Sequence, residues 1–198
     1  VFITTPVFLH VSMASYCIDK QLPFFVEKPL SLSTEEGLKL VKKNEKQLVN
    51  NMVGYCKRRQ NNYSIVRDLV SGGILGKISS YKATCYKSSI FKNNSSWRFS
   101  KQYSGGGALM SFGSHLIDML FWQFGNVSKV SGECKKLYSE KVEDYCFARL
   151  IHESEVQGEV VINWSKKGYR KEDTKILIKG DNGSLLVTND TIKIILIK

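Results

Sequence analysis

The stretch LPFFVEKPLSLSTEE, Leu22 to Glu36, settles what kind of sheet this chain builds. PFFVE reads as a short apolar strand, and Ser33 with Glu36 three residues on forms a capping box for a helix reaching about Gln47. Working outward, VFITT, Val1 to Thr5, is a β-branched run closed by Pro6. Val7 to Lys20 then carries helical spacing in Phe8, Val11, Ala14 or Ser15, and Ile18. Beyond Gln47 a third strand is expected over about Leu48 to Tyr55. Strands this apolar, joined by helical crossovers, belong in a parallel sheet covered on both faces, which makes the fold class α/β.

After Lys57-Arg58-Arg59 the character changes. A helix is expected near Asn62 to Ser71, ending at Gly72-Gly73, and a strand over about 77–87. The polar loop SSIFKNNSSWRFSKQYSGGG leads into a second helix, and strands follow at about 127–137, 143–151, 155–164, 174–180, 183–188 and 191–197. That is an open, mainly antiparallel sheet with a helix or two on one face. The expected division is a first unit over 1–56 and a second over 57–198. No G-x-G-x-x-G occurs, and Val1 opens directly on a strand, so the chain reads as a fragment whose phosphate-binding turn would lie upstream.

The 198 residues hold no long uncharged apolar run and no basic-then-apolar leader, so neither a membrane span nor a signal peptide is expected and the chain is placed in the cytoplasm. Five cysteines, odd in number, widely spaced and without a C-x-x-C pair, argue against a disulfide framework and a structural zinc site. They are expected as reduced thiols. The net charge of +11 is spread in short clusters mixed with acidic residues, which describes a solvated surface or a mild attraction for phosphate-bearing ligands better than nucleic-acid binding.

In an open parallel sheet, ligands bind at the carboxyl ends of the strands, here Thr4-Thr5-Pro6, Glu27-Lys28-Pro29 and Tyr55-Cys56. A lysine emerging from a buried strand can be desolvated until it exchanges protons near neutrality; Lys28 is either such a group or one that only reaches out to solvent. The run GGGALMSFGSHLIDMLFWQFG, Gly105 to Gly125, poses a second question. Ser111, His115, Asp118 and Trp122 follow at steps of four, three and four, one polar stripe on a helix flanked by apolar residues. A buried His and Asp need partners or a cavity, and the glycines before the first turn suggest room for a ligand.

ITTPVFLH, FFVEKPLS, VGYCKRR, GILGKI, WR and the glycine-led helix occur in the order found in the Gfo/Idh/MocA oxidoreductases, which the chain resembles over nearly its whole length. The resemblance implies the later half of a Rossmann-type parallel sheet, then a substrate-binding domain whose open sheet often mediates homo-oligomers. It implies NAD or NADP as cofactor and hydride transfer to or from a sugar, cyclitol or nucleotide-sugar. By position, Lys28 looks like the catalytic lysine, with Glu27 and Pro29 in the same turn. Thr5, Pro6 and His10 match a loop passing the cofactor, and Trp97 and Arg98 a pair touching it in some members. His115 matches an acid, base or substrate ligand, and Asp118 the acid one turn on. Ser111 stands where many members carry aspartate, and Cys56 where asparagine is common, so the substrate class stays open. Rival readings are the family's NAD-dependent glycosidases and a non-catalytic structural subunit.

Overall fold

A computed structural model describes residues 1–90 and 96–197; residues 91–95 of the polar loop lie outside the described residues. The first unit is a parallel sheet of β1 (Phe2–Ile3), β2 (Phe24–Val26) and β3 (Asn51–Val53), in that order. Two helices connect the strands, α1 (His10–Asp19) and α2 (Thr34–Gln47). The capping box is half realised: Ser33 Oγ accepts the Glu36 N–H at 3.2 Å, Glu35 and Glu36 lie in the positive first turn, and Leu48 ends α2 in a left-handed conformation.

Alternate residues of the strands, Ile3, Phe24 and Val26, pack with Ala14 and Ile18 of α1 and Leu40 of α2 in one buried cluster. Among the described residues both helices lie on this one face, and the other face exposes Phe2 at 81% and Met52 at 58%. The topology gives the reason. Strands added in sequence order by crossovers of one hand place both helices on the same side.

The second unit opens with α3 (Asn61–Ser71) and closes as a seven-stranded sheet. Its strands are β4 (Ile78–Tyr86), β5 (Val127–Lys135), β6 (Tyr145–His152), β7 (Gln157–Asn163), β8 (Asp173–Gly180), β9 (Gly183–Thr188) and β10 (Ile192–Leu196). They lie in the order β10-β9-β8-β4-β7-β6-β5, all pairs antiparallel except β4 with β7. Between β4 and β5 come a short α4 (Lys101–Ser104) and α5 (Ser114–Phe124). Tyr63 and Val66 of α3 and Leu116, Met119, Leu120 and Phe124 of α5 share one core with Tyr81, Val160, Ile162, Ile178 and Leu185 of the sheet. Among the described residues no helix is long and apolar enough to cross a membrane.

Three local findings depart from the sequence reading. Cys134 on β5 and Cys146 on β6 stand directly opposite in the antiparallel register, Cα atoms 4.1 Å apart, and form a disulfide. Opposed residues on neighbouring strands bring their Cβ atoms within bridging reach, a proximity that a spacing of 12 residues does not reveal. Of the other three cysteines, Cys17 and Cys85 are buried thiols and Cys56 is exposed.

The second finding concerns the glycine triplet. A Cβ on Gly107 would stand 2.0 Å from the Glu143 carbonyl oxygen, and the Ala108 N–H donates to that oxygen at 2.9 Å. Gly105 needs its left-handed backbone, φ +75°, and faces Leu32 and Met110. The triplet therefore serves close packing of one chain segment on another, and only Gly106 borders open space.

The third concerns α5, which is preceded by a π-type turn over Leu109–Gly113 rather than by regular helix. Leu109 and Phe121 are 37% and 40% exposed, so the helix is buried along one face, not all round.

Candidate active site

Lys28 leaves the carboxyl end of β2 half-buried, in a turn where the Lys28-Pro29 peptide is cis. Its Nζ donates to the backbone carbonyl of Ser111, in the π-type turn, at 2.5 Å. Burial lowers the Lys28 pKa and the Arg98 guanidinium lowers it further, while Glu172 and Glu27 act against the shift. A cavity of about 220 Å³ lies here, lined among others by Thr5, Glu27, Lys28, Pro29, Trp97, Arg98 and Ser111. The Arg98 guanidinium lies over the Trp97 ring, 4.7 Å from its centroid, which fixes the direction of its charge.

His10 holds this wall together from behind. It is 1% exposed, with Nδ1 2.8 Å from the Pro29 carbonyl and Nε2 2.8 Å from the Thr5 carbonyl. It thereby ties the β1 loop to the β2 loop without lining the cavity itself. Pro6 precedes the helical turn Val7–Leu9 and does not line the cavity either.

His115 lies one turn beyond Ser111, with the Tyr55 ring edge-on at 6.0 Å. Its Nδ1 is buried with no hydrogen-bond partner among the described residues. Burial, then the positive charges of Lys28 and Lys57, push its pKa down to about 4, against the opposing pull of Glu172. The imidazole is therefore neutral at neutral pH, able to accept a hydrogen bond or a proton at one nitrogen and to donate at the other. Because its folded pKa lies below the ordinary 6.5, its contribution to stability is complete above about pH 6.5 and lost as pH falls towards 4. An NMR titration should show one histidine with a midpoint near pH 4, moving upward in Lys28→Met; an ordinary midpoint near 6.5 would contradict this picture.

Asp118 does not face this space. Both of its oxygens accept from Arg58, Oδ2 from Nε at 2.7 Å and Oδ1 from the terminal nitrogen, a two-pronged pair that joins the start of the second unit to α5. The carboxylate is thus engaged by an arginine five residues beyond the end of β3, and Asp118 is not among the residues lining the cavity.

Sequence reasoning missed the pair formed by Lys57 and Glu172. Lys57 is 8% exposed; its Nζ donates to Glu172 and, at 2.9 Å, to Thr174 Oγ1. Burial alone would raise the Glu172 pKa, but the Lys57 charge and hydrogen bond, with Thr174 and His115, hold it low. The signal for Lys57 was its place just past a strand's carboxyl end, like that of Lys28. Glu172 carries no local signal, since it sits in the charged run YRKEDT, which reads as surface.

The arrangement is a nucleotide-type parallel sheet whose strand ends meet a helix of a second, mainly antiparallel unit, with a lysine and a histidine at the junction. The chain superposes on the solved levoglucosan dehydrogenase bound to NADH and levoglucosan with a TM-score of 0.93 at 24% identity, over 99% of this chain and 56% of that one. Residues 63–186 match the family model for the GFO/IDH/MocA C-terminal domain, and the chain belongs to the GFO/IDH/MocA family. An uncharacterized oxidoreductase of Synechocystis is 27% identical over 98% of this chain and 55% of its own length. Levoglucosan dehydrogenase of Pseudarthrobacter phenanthrenivorans is 30% identical over 65% of this chain and 34% of its own length. The chain thus spans little more than half the length of the first of these relatives.

Proposed function

We propose that the protein is a nicotinamide-dependent oxidoreductase acting on a secondary alcohol, or the matching ketone, of a sugar or cyclitol. The observation that carries this reading is Lys28, desolvated at the strand end and aimed by the Ser111 carbonyl into the gap beside His115. The cavity lined by Thr5, Glu27, Pro29, Trp97 and Arg98 would take the nicotinamide end of NAD or NADP, with the Trp97 ring and the Arg98 guanidinium stacked on it in its wall. When bound, the nicotinamide supplies or accepts the hydride.

The residues of this chain handle the proton. In its neutral form Lys28 keeps a lone pair after donating one N–H to Ser111, and that lone pair takes the substrate hydroxyl proton during oxidation. The same amine, protonated, returns the proton to the carbonyl oxygen in reduction. His115 holds the neighbouring hydroxyl through Nε2, the ring nitrogen that is not enclosed, and shares the proton with Lys28. The levoglucosan dehydrogenase relatives support a sugar as the substrate class.

The test is to incubate the native protein with NAD or NADP and a panel of neutral sugars and cyclitols. Reduced nicotinamide should accumulate with at least one of them. Cleavage of a glycoside with no net reduced cofactor would replace this reading with a glycosidase.

A further inference from the structure

Beyond the Lys57 and Glu172 pair the surface continues into an open trough of about 660 Å³ between the amino end of α3 and the turn joining β9 to β10. The pair belongs to both places. Its charges bear on Lys28 and His115, and its side chains line the trough. The trough's chemistry differs from that of the whole chain. Although the protein carries a net charge of +11, the trough is lined by two cations, Lys57 and Arg59, and two anions, Glu172 and Asp190, so its formal charge is zero. The side-chain amides of Gln60 and Asn61 complete the wall with donors and acceptors in equal measure.

Both hydrogen bonds that Glu172 accepts from side-chain nitrogen and hydroxyl donors fall on Oε1, from Lys57 and, at 3.2 Å, from Thr174. Among the described residues no nitrogen or hydroxyl donor is bonded to its Oε2, which keeps a lone pair for a hydroxyl donor beside the buried Cys85 thiol. A hydroxyl bound to this oxygen gains a charge-assisted hydrogen bond. A phosphate placed there meets the carboxylates of Glu172 and Asp190 as well as the cations Lys57 and Arg59, so the trough offers it no net charge attraction. Position 111 offers only a serine, and Glu172 is the carboxylate whose charge bears most on Lys28, ahead of Glu27, and the one that bears on His115.

We propose that this trough is a second sugar-binding subsite, and that the substrate is an uncharged glycoside or oligosaccharide whose second ring is gripped by Glu172, Gln60 and Asn61. The inference rests on the sugar-oxidoreductase reading above and narrows its substrate class. It sets aside the phosphorylated sugars that the overall charge would suggest.

Calorimetric titration of the native protein, with reduced nicotinamide dinucleotide present, tests it with maltose, cellobiose and lactose against glucose, galactose and glucose 6-phosphate. At least one disaccharide should bind about tenfold or more tightly than its component monosaccharides, the scale of one charge-assisted hydrogen bond. Glucose 6-phosphate should bind no better than glucose. Glu172→Gln should remove most of the disaccharide preference. Asn61→Ala, on the exposed rim and outside the Lys57 pairing, should weaken the preference without lowering the melting temperature. The subsite is wrong if no disaccharide is preferred, if the phosphorylated sugar binds best, or if the preference survives both substitutions. Hydride transfer is scored separately. Turnover of monosaccharides without disaccharide preference would overturn the subsite alone, and disaccharide preference without turnover of any sugar would overturn the oxidoreductase reading alone.

Discussion

Lys28→Ala is expected to lower kcat for sugar oxidation by about 100- to 10,000-fold, the usual worth of a positioned general base, while sugar affinity changes by only a few-fold. The asymmetry follows from the proposed mechanism, in which the amine held by Ser111 would act on the reacting hydroxyl alone while the rest of the substrate is held by other groups. Lys28→Arg should not rescue the activity, because a guanidinium stays protonated throughout the working pH range and has no lone pair to offer. In the native protein kcat for oxidation should rise with pH through a midpoint below the ordinary lysine value, since burial and Arg98 favour the neutral amine. Turnover by Lys28→Ala within a few-fold of the native rate would remove Lys28 from the mechanism.

Gly107→Ala is expected to destabilise the second unit by about 3 kcal/mol or more, at the upper end of overpacking costs, with a melting temperature lower by roughly 6 °C or more. The added methyl would meet the Glu143 carbonyl oxygen at 2.0 Å and Val142 Cβ at 3.0 Å. Neither contact can relax by a side-chain rotation, because the first is backbone and Val142 is 2% exposed. The neighbouring Asp144 is fully buried and accepts the N–H groups of Leu137, Tyr138 and Ser139 at 2.7, 2.7 and 2.9 Å, so the segment is anchored where it stands. Thermal unfolding followed by circular dichroism measures the effect; an unchanged melting temperature would mean that the two segments part more readily than their packing implies.

What was legible in the sequence was local. The apolar strand before Lys28, the Ser33 cap and the spacing of the later strands each carry their own signal within a few residues, and the elements stand close to where those signals put them. The grouping of Thr5, Glu27, Lys28 and Pro29 around one cavity also follows from local rules, because strand ends converge on one side of a parallel sheet, whereas Trp97, Arg98 and Ser111 reach it from the second unit. What was not legible depends on register between distant segments. Glu172 meets Lys57 across 115 residues from a charged run that looks solvated, and Asp118 meets Arg58 across 60. The bridge between Cys134 and Cys146 needs the hairpin register, which no pattern in either strand specifies.

The bond from Lys28 to Ser111 is made to a backbone oxygen, which every amino acid supplies. The amine is therefore aimed by the course of the helix and not by the identity of the residue at 111. In the proposed mechanism, exchanging that side chain would retune which hydroxyl pattern is accepted without disturbing the group that moves the proton. Selectivity and chemistry would then be mutationally separable within one turn, and a site built like this would change its diet while keeping its machinery.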